Sequence, residues 1–264
     1  MEPDLPGAKR QLLLSPDLTP EEKSRLENVS PEVHEADTMY AGNAHHYLSV
    51  GLSAIRCIQE SLRSAGREFA NGSILDLPSG YGRVLRFLRA WYPNADITAV
   101  EIDQGALDFC QKNFAATPVL STIPLSELKL TRQFDLIWCG SLFTHIDEPT
   151  ATDLLRFFHD HLSERGLCVF TTHGRYCAGL MQRNEVTYGL TAEAQQKIIR
   201  EVRATGYGYA DYPDQSGYGI SAITHQRLGE LASGAGGWEM TLFLARGWDH
   251  HQDVYAFAKQ NNQS

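Results

Sequence analysis

Apolar residues recur along this chain in two rhythms. Short runs at Ile74-Leu75 with Leu77, Ile97–Val100, Pro118–Thr122, Phe134–Cys139 and Leu167–His173 have the length of buried parallel strands. Between them, Val84, Leu88 and Trp91 recur at helical spacing, as do Leu107, Cys110 and Phe114, and Leu154 or Leu155 with Phe158 and Leu162. This alternation predicts a parallel α/β sheet with covering helices over about 72–173. The first helix is expected to start at about Gly82, and Gly166 to cap the helix before the fifth strand. Trp238–Ala245 and Asp253–Ala258 are two further strand patterns with only a short segment between them, so they should pair as an antiparallel hairpin.

The flanks carry other patterns. Residues 1–35 read as an arm with one short helix, with Thr19 as its N-cap and Pro20 at its first position. Leu52, Ile55, Ile58 and Leu62 predict an amphipathic helix within 36–66. Tyr40, His45, His46 and Tyr47 precede it or open it as candidates for a pocket wall, or as residues that dock the helix. Residues 174–217 break the α/β rhythm with a helical Thr191–Arg200 stretch and a Gly/Tyr-rich loop at Gly206–Pro213. An insertion after the fifth strand would lie over the carboxyl ends of the strands, where open α/β sheets bind ligands. The expected division is therefore an arm over 1–70 and a main domain over 71–264, with 174–217 as its cap.

Composition narrows the class. With 264 residues, 42% of them hydrophobic and 21% charged, one large α/β domain with attachments is expected. A net charge of −9 without a Lys/Arg cluster argues against a nucleic-acid substrate. No stretch has the apolar length of a membrane span, so no membrane partner is expected. Five cysteines without a Cys-x-x-Cys pair fit a reducing, cytoplasmic location.

The densest chemistry lies after the first strand. Pro78, Gly80 and Gly82 punctuate a tight loop between Asp76 and the following helix. Glycines let backbone approach a ligand, and a helix N-terminus offers free N–H donors. A dinucleotide fold wants a third glycine where Leu85 stands, which disfavours NAD. Asp76 would repel a pyrophosphate and attract an ammonium, while Glu101, ending the second strand, can accept both hydroxyls of a ribose. A ligand with a ribose, an amino group and one carboxylate fits, as S-adenosylmethionine does.

Leu75-Asp-Leu-Pro-Ser-Gly-Tyr-Gly-Arg83, Ala99-Val-Glu-Ile-Asp103 and Phe134–His145 resemble motifs of the class I S-adenosylmethionine-dependent methyltransferases. The likeness covers about 72–175 well and the C-terminal segment more loosely. It implies a Rossmann-like, seven-stranded, mostly parallel sheet with an antiparallel last strand, and S-adenosylhomocysteine as product. It places the Ser79–Gly82 backbone on the methionine portion, Asp76 near its amino group, Glu101 on the ribose and Ile102 on the adenine. Pro78, Tyr81, Arg83 and Ser141 are carried over as further cofactor-binding positions. Where the family often has an acid after the third strand, this chain has Ser121 and Thr122.

Methyl transfer is an in-line displacement that needs alignment and, for a protonated acceptor, a base. His145 and His173 follow the fourth and fifth strands at the catalytic edge and are the candidate bases for a hydroxyl. Thr172-His-Gly-Arg175 and Gly247–Val254 also look like segments of bacterial methyltransferases found among polysaccharide genes. That analogy suggests O-methylation of a small-molecule or glycan acceptor, and a homodimer is a further expectation. The rival reading is a cofactor-binding protein of the same fold that transfers no methyl group. No metal is expected: His250 and His251 should face opposite sides and lack a partner cluster, and His159 and His161 diverge on a helix.

Overall fold

The structure, a computed structural model, describes residues 4–260. Helices α1 (Leu5–Leu13), α2 (Pro20–Glu27) and α3 (Ala44–Ser64) precede the sheet. The arm thus holds two helices where one was expected. The Asp4 side chain caps α1 and Pro6 sits in its first turn, a signal that the short Leu-rich run obscured. Helix α2 has a full capping box. The Thr19 hydroxyl accepts from Glu22 N–H at 3.1 Å, and the Glu22 carboxylate accepts from Thr19 N–H at 2.8 Å. Leu52, Ile55, Ile58 and Leu62 form the buried stripe of α3, as their spacing predicts.

Strand β1 (Ser73–Asp76) leads through the glycine loop to α4 (Leu85–Trp91), then β2 (Asp96–Glu101), α5 (Gln104–Phe114) and β3 (Thr117–Leu120). The helix expected at Gly82 opens at Leu85. Its first turn is anchored earlier, since the Gly82 carbonyl accepts from Arg86 N–H at 3.1 Å. After β4 (Phe134–Cys139) come α6 (Glu148–His161) and β5 (Leu162–Thr172). Gly166 is therefore no helix cap. The helix ends at His161, and Gly166 lies within β5, where a Cβ would stand 2.7 Å from the Phe134 carbonyl oxygen. Close strand approach, not helix termination, is what demands glycine there.

Beyond β5 the chain forms α7 (Arg175–Gln182), α8 (Ala192–Thr205), β6 (Tyr207–Asp211) and β7 (Gly219–Ile223). The Gly/Tyr-rich segment read as a loop is largely strand β6, paired antiparallel with β7 in a small second sheet. Met181, Ile198, Ile199, Ala210, Ile220 and Ala222 give these elements a core of their own. Helix α9 (His225–Ala235) and strands β8 (Trp238–Trp248) and β9 (Gln252–Lys259) complete the chain.

The main sheet runs β3-β2-β1-β4-β5-β9-β8, with β9 antiparallel to β5 and β8 antiparallel to β9. Period-two alternation divides its core. Ile74, Leu136, Trp138 and Val169 face α3, α4 and α5, while Leu75, Ile137, Cys139 and Phe170 face α6 and α9. Strand order reverses between β1 and β4, and the crevice at that switch point is where such sheets take ligands. Arg86 fastens the arm beside it. Its guanidinium donates to the carbonyls of Ser30 and Glu32 at 3.1 and 2.7 Å and to the Tyr47 hydroxyl at 3.1 Å.

Candidate active site

The cofactor side is assembled from two adjacent strand ends. Ser79 N–H donates to the Val100 carbonyl at 3.0 Å, tying the glycine loop to β2. Glu101 is held from two directions: Oε2 accepts from Gly80 N–H at 2.8 Å and Oε1 from Ile102 N–H at 2.7 Å. Gly80 and Gly82 both have positive φ, +51° and +78°, but for different ends. A Cβ at Gly82 would come within 2.3 Å of the Phe114 ring, so glycine there lets α5 close on the loop. At Gly80 a Cβ would meet nothing within 4 Å, leaving that side open to a ligand.

Asp76 is the telling residue. Its carboxyl is fully buried, and neither oxygen has a hydrogen-bond partner among the described residues. Burial, then the charge of Glu101, pushes its pKa well above the ordinary carboxylate range. A carboxylate left so is unfavourable unless a cation arrives. The ammonium of S-adenosylmethionine meets that need, and Glu101 keeps lone pairs for a diol, so the residues present fit the cofactor. Ile102 is 55% exposed beside them, an apolar face for a flat base.

The other expected cofactor positions divide. Pro78 and Ser79 line the loop, but Tyr81 turns toward the arm, bonding Asp103 at 3.0 Å and stacking on His34 at 4.7 Å. Arg83 feels the charges of Asp37 and Asp249 and lies 5.8 Å over the Trp248 ring, on the α3 side of the loop. Ser141, after β4, has φ +65°. Its N–H donates to the Thr171 hydroxyl at 2.8 Å, and its own hydroxyl accepts from the Gln252 amide at 2.9 Å. Ser121 donates its N–H to the Glu101 carbonyl, and the Thr122 hydroxyl donates to the Pro124 carbonyl.

On the acceptor side the small sheet is fastened to the main one. Gly219 and Ser221 N–H donate to the carbonyls of His145 and Thr144, and Ile223 N–H to that of His173. His145 Nδ1 lies 2.8 Å from the Gly219 carbonyl oxygen, so Nδ1 carries the proton and Nε2 keeps a lone pair. The ring stacks on Tyr218 at 4.9 Å, with the Tyr212 hydroxyl 3.3 Å from Nδ1. Burial lowers the His145 pKa, so the ring is neutral at neutral pH. His173 is enclosed more completely. Burial, then the nearby His145 and His251, brings its pKa down to about 3, and its Nδ1 meets the Ser221 carbonyl at 3.2 Å.

The expectation that His251 lacks a partner cluster needs correction. His173, Cys177 and His251 bring one potential ligand atom each within 4.8 Å of one another. The β5–β9 register, Thr172 opposite Asp253, carries His251 to the end of β5, and α7 returns Cys177 one turn after His173. Tyr188, Tyr212, Tyr218 and Gln252 were also not singled out for the site. The Gly/Tyr-rich segment was the one visible signal for Tyr212.

A sheet of this order with a ligand loop at its switch point is that of class I methyltransferases. Residues 52–241 match the family model described as a methyltransferase domain. The chain belongs to this methyltransferase-domain family. Among curated proteins it is 27% identical over 142 residues to malonyl-[acyl-carrier protein] O-methyltransferase of Halalkalibacterium halodurans, covering 52% of this chain and 51% of that one. The chain thus spans about half the length of that relative. Among solved structures, DesVI of Streptomyces venezuelae matches with TM-score 0.58 at 14% identity, covering 87% of this chain and all of that one. An S-adenosylmethionine-dependent methyltransferase from Clostridium acetobutylicum matches with TM-score 0.57 at 16% identity, covering 85% and 100%. These likenesses agree with the expected fold.

Proposed function

We propose that this enzyme methylates a hydroxyl of a small-molecule or glycan acceptor, with His145 as the general base. The observation that carries the reading is the His145 ring. Its Nδ1 proton is committed to the Gly219 carbonyl, its Nε2 has no hydrogen bond among the described residues, and its faces are set by Tyr218 and Tyr212. A neutral imidazole so oriented takes a proton as the acceptor oxygen attacks. His173, the other candidate, is too enclosed to gain charge and serves to hold Ser221 of the small sheet. The Halalkalibacterium relative is named an O-methyltransferase, which agrees with an oxygen acceptor.

The cofactor supplies the electrophilic methyl group. Asp76 holds its ammonium, the Ser79–Gly82 backbone its amino-acid end, Glu101 its ribose and Ile102 its adenine. Pro78 shapes the loop, and Tyr81 and Arg83 brace it against the arm and α3 rather than meeting the ligand. Ser141, tied to Thr171 and Gln252, marks the border between the two halves. The segment 174–217, extended by β7, selects the acceptor, and the arm over 1–70 covers the loop. The test is a panel of hydroxylated acceptors, sugars first, assayed for S-adenosylhomocysteine release by wild type and His145→Gln. Turnover that the variant retains in full would remove His145 as base.

A further inference from the structure

The group His173, Cys177 and His251 is absorbed by nothing in the methyl-transfer chemistry. It joins three elements: the carboxyl end of β5, the first turn of α7, and the turn between β8 and β9. Their potential ligand atoms lie within 4.8 Å of one another, with His173 and Cys177 buried. The His173 imidazole is turned by its neighbour in the way that metal-bound histidines are. His173 Nδ1 donates to the Ser221 carbonyl at 3.2 Å, which leaves Nε2 with its lone pair and with no hydrogen bond among the described residues. His251 Nε2 lies 3.7 Å from Cys177 Sγ and 2.9 Å from the Tyr188 hydroxyl. The remaining four cysteines, Cys57, Cys110, Cys139 and Cys168, are buried elsewhere.

Two imidazoles and a thiol without a carboxylate make a borderline-soft donor set, suited to zinc rather than to magnesium or calcium. Three protein ligands leave a fourth position. We propose that His173, Cys177 and His251 bind one zinc ion, which ties α7 to the main sheet, His251 Nε2 giving up its hydrogen bond with the Tyr188 hydroxyl for the metal. The ligand nitrogens and sulfur draw in by a fraction of their present spacing to reach bonding distance, and the Cys177 proton is released to solvent. The site is independent of which acceptor the enzyme uses. Its place one residue beyond β5, beside the small sheet that packs on His145, makes it a rivet for the acceptor half of the crevice.

The test uses the untagged full chain. Zinc content is measured after dialysis, and the chelator-treated protein is then titrated with cobalt(II) and followed by absorption. The expected result is one tightly held zinc per chain and a near-ultraviolet thiolate-to-cobalt band. In Cys177→Ser that band disappears and zinc affinity falls by more than the roughly 10–100-fold that loss of an outer partner costs. Tyr188→Phe, which removes the hydrogen bond that His251 Nε2 has to give up, keeps the cobalt band and does not lower zinc affinity. Should Cys177→Ser fail to fold, the wild-type cobalt band, which reports sulfur ligation directly, and His251→Gln carry the decision. Absence of zinc together with absence of a cobalt band would overturn the site. So would a band that survives in Cys177→Ser.

Discussion

The two halves of the crevice are built by different means. The proposed cofactor half is local: Asp76, the glycine loop and Glu101 come from two neighbouring strand ends, and their hydrogen bonds run between adjacent backbone segments. The proposed acceptor half is remote: His145 depends on Gly219, Ser141 on Gln252, and His173 on Ser221, partners from distant parts of the chain. Loops on a fixed scaffold can change acceptor contacts without disturbing the sheet. The cofactor loop has no such freedom, because a Cβ at Gly82 would drive α5 away from it.

This contrast separates what substitutions do. His145→Gln should have the largest effect, lowering kcat by about 10²–10⁴-fold, the range for loss of a general base. Its affinity for S-adenosylhomocysteine should match wild type by calorimetry; a matching loss of affinity would erase the division between halves. Asp76→Asn should weaken S-adenosylhomocysteine binding by about 1.5–3 kcal/mol, as for a hydrogen bond to a charged group. The melting temperature of the free variant should not fall, because the carboxyl has no partner to lose.

The same residue makes a pH prediction. Its folded pKa is raised, so protonation favours the free fold, and that contribution is lost as pH rises through the folded pKa. Ligand binding needs the ionised form. Affinity for S-adenosylhomocysteine should therefore rise with pH above the ordinary carboxylate range, and the rise should vanish in Asp76→Asn. Glu101→Ala should cost about 1–3 kcal/mol of cofactor affinity. Smallest is Ile102→Val, at roughly 0.8 kcal/mol for the one methylene removed from the adenine face.

The cofactor half and the sheet were legible in sequence for the same reason. Strand periodicity, the Pro78–Gly82 loop and the acids ending β1 and β2 are short-range signals, and parallel strands buried on both faces read as apolar runs. For Tyr81 and Arg83 the sequence did not show their partners, because position in a motif does not say which way a side chain turns. The partners were His34 and Asp103 for one, Trp248 and Asp37 for the other. Gly166 was misread because a strand glycine and a helix-ending glycine look alike after an apolar helix. The joining of His173, Cys177 and His251 rests on β9 running antiparallel beside β5, which no local pattern states.

Asp76 and Glu101 together form the heart of the proposed cofactor site. Calorimetric titration of wild type, Asp76→Asn and Glu101→Ala with S-adenosylhomocysteine, with NAD as the control ligand, tests that claim. Micromolar binding by wild type, weakened in both variants and absent for NAD, is the predicted result. Equal affinity in all three proteins, or binding of NAD in its place, would contradict it.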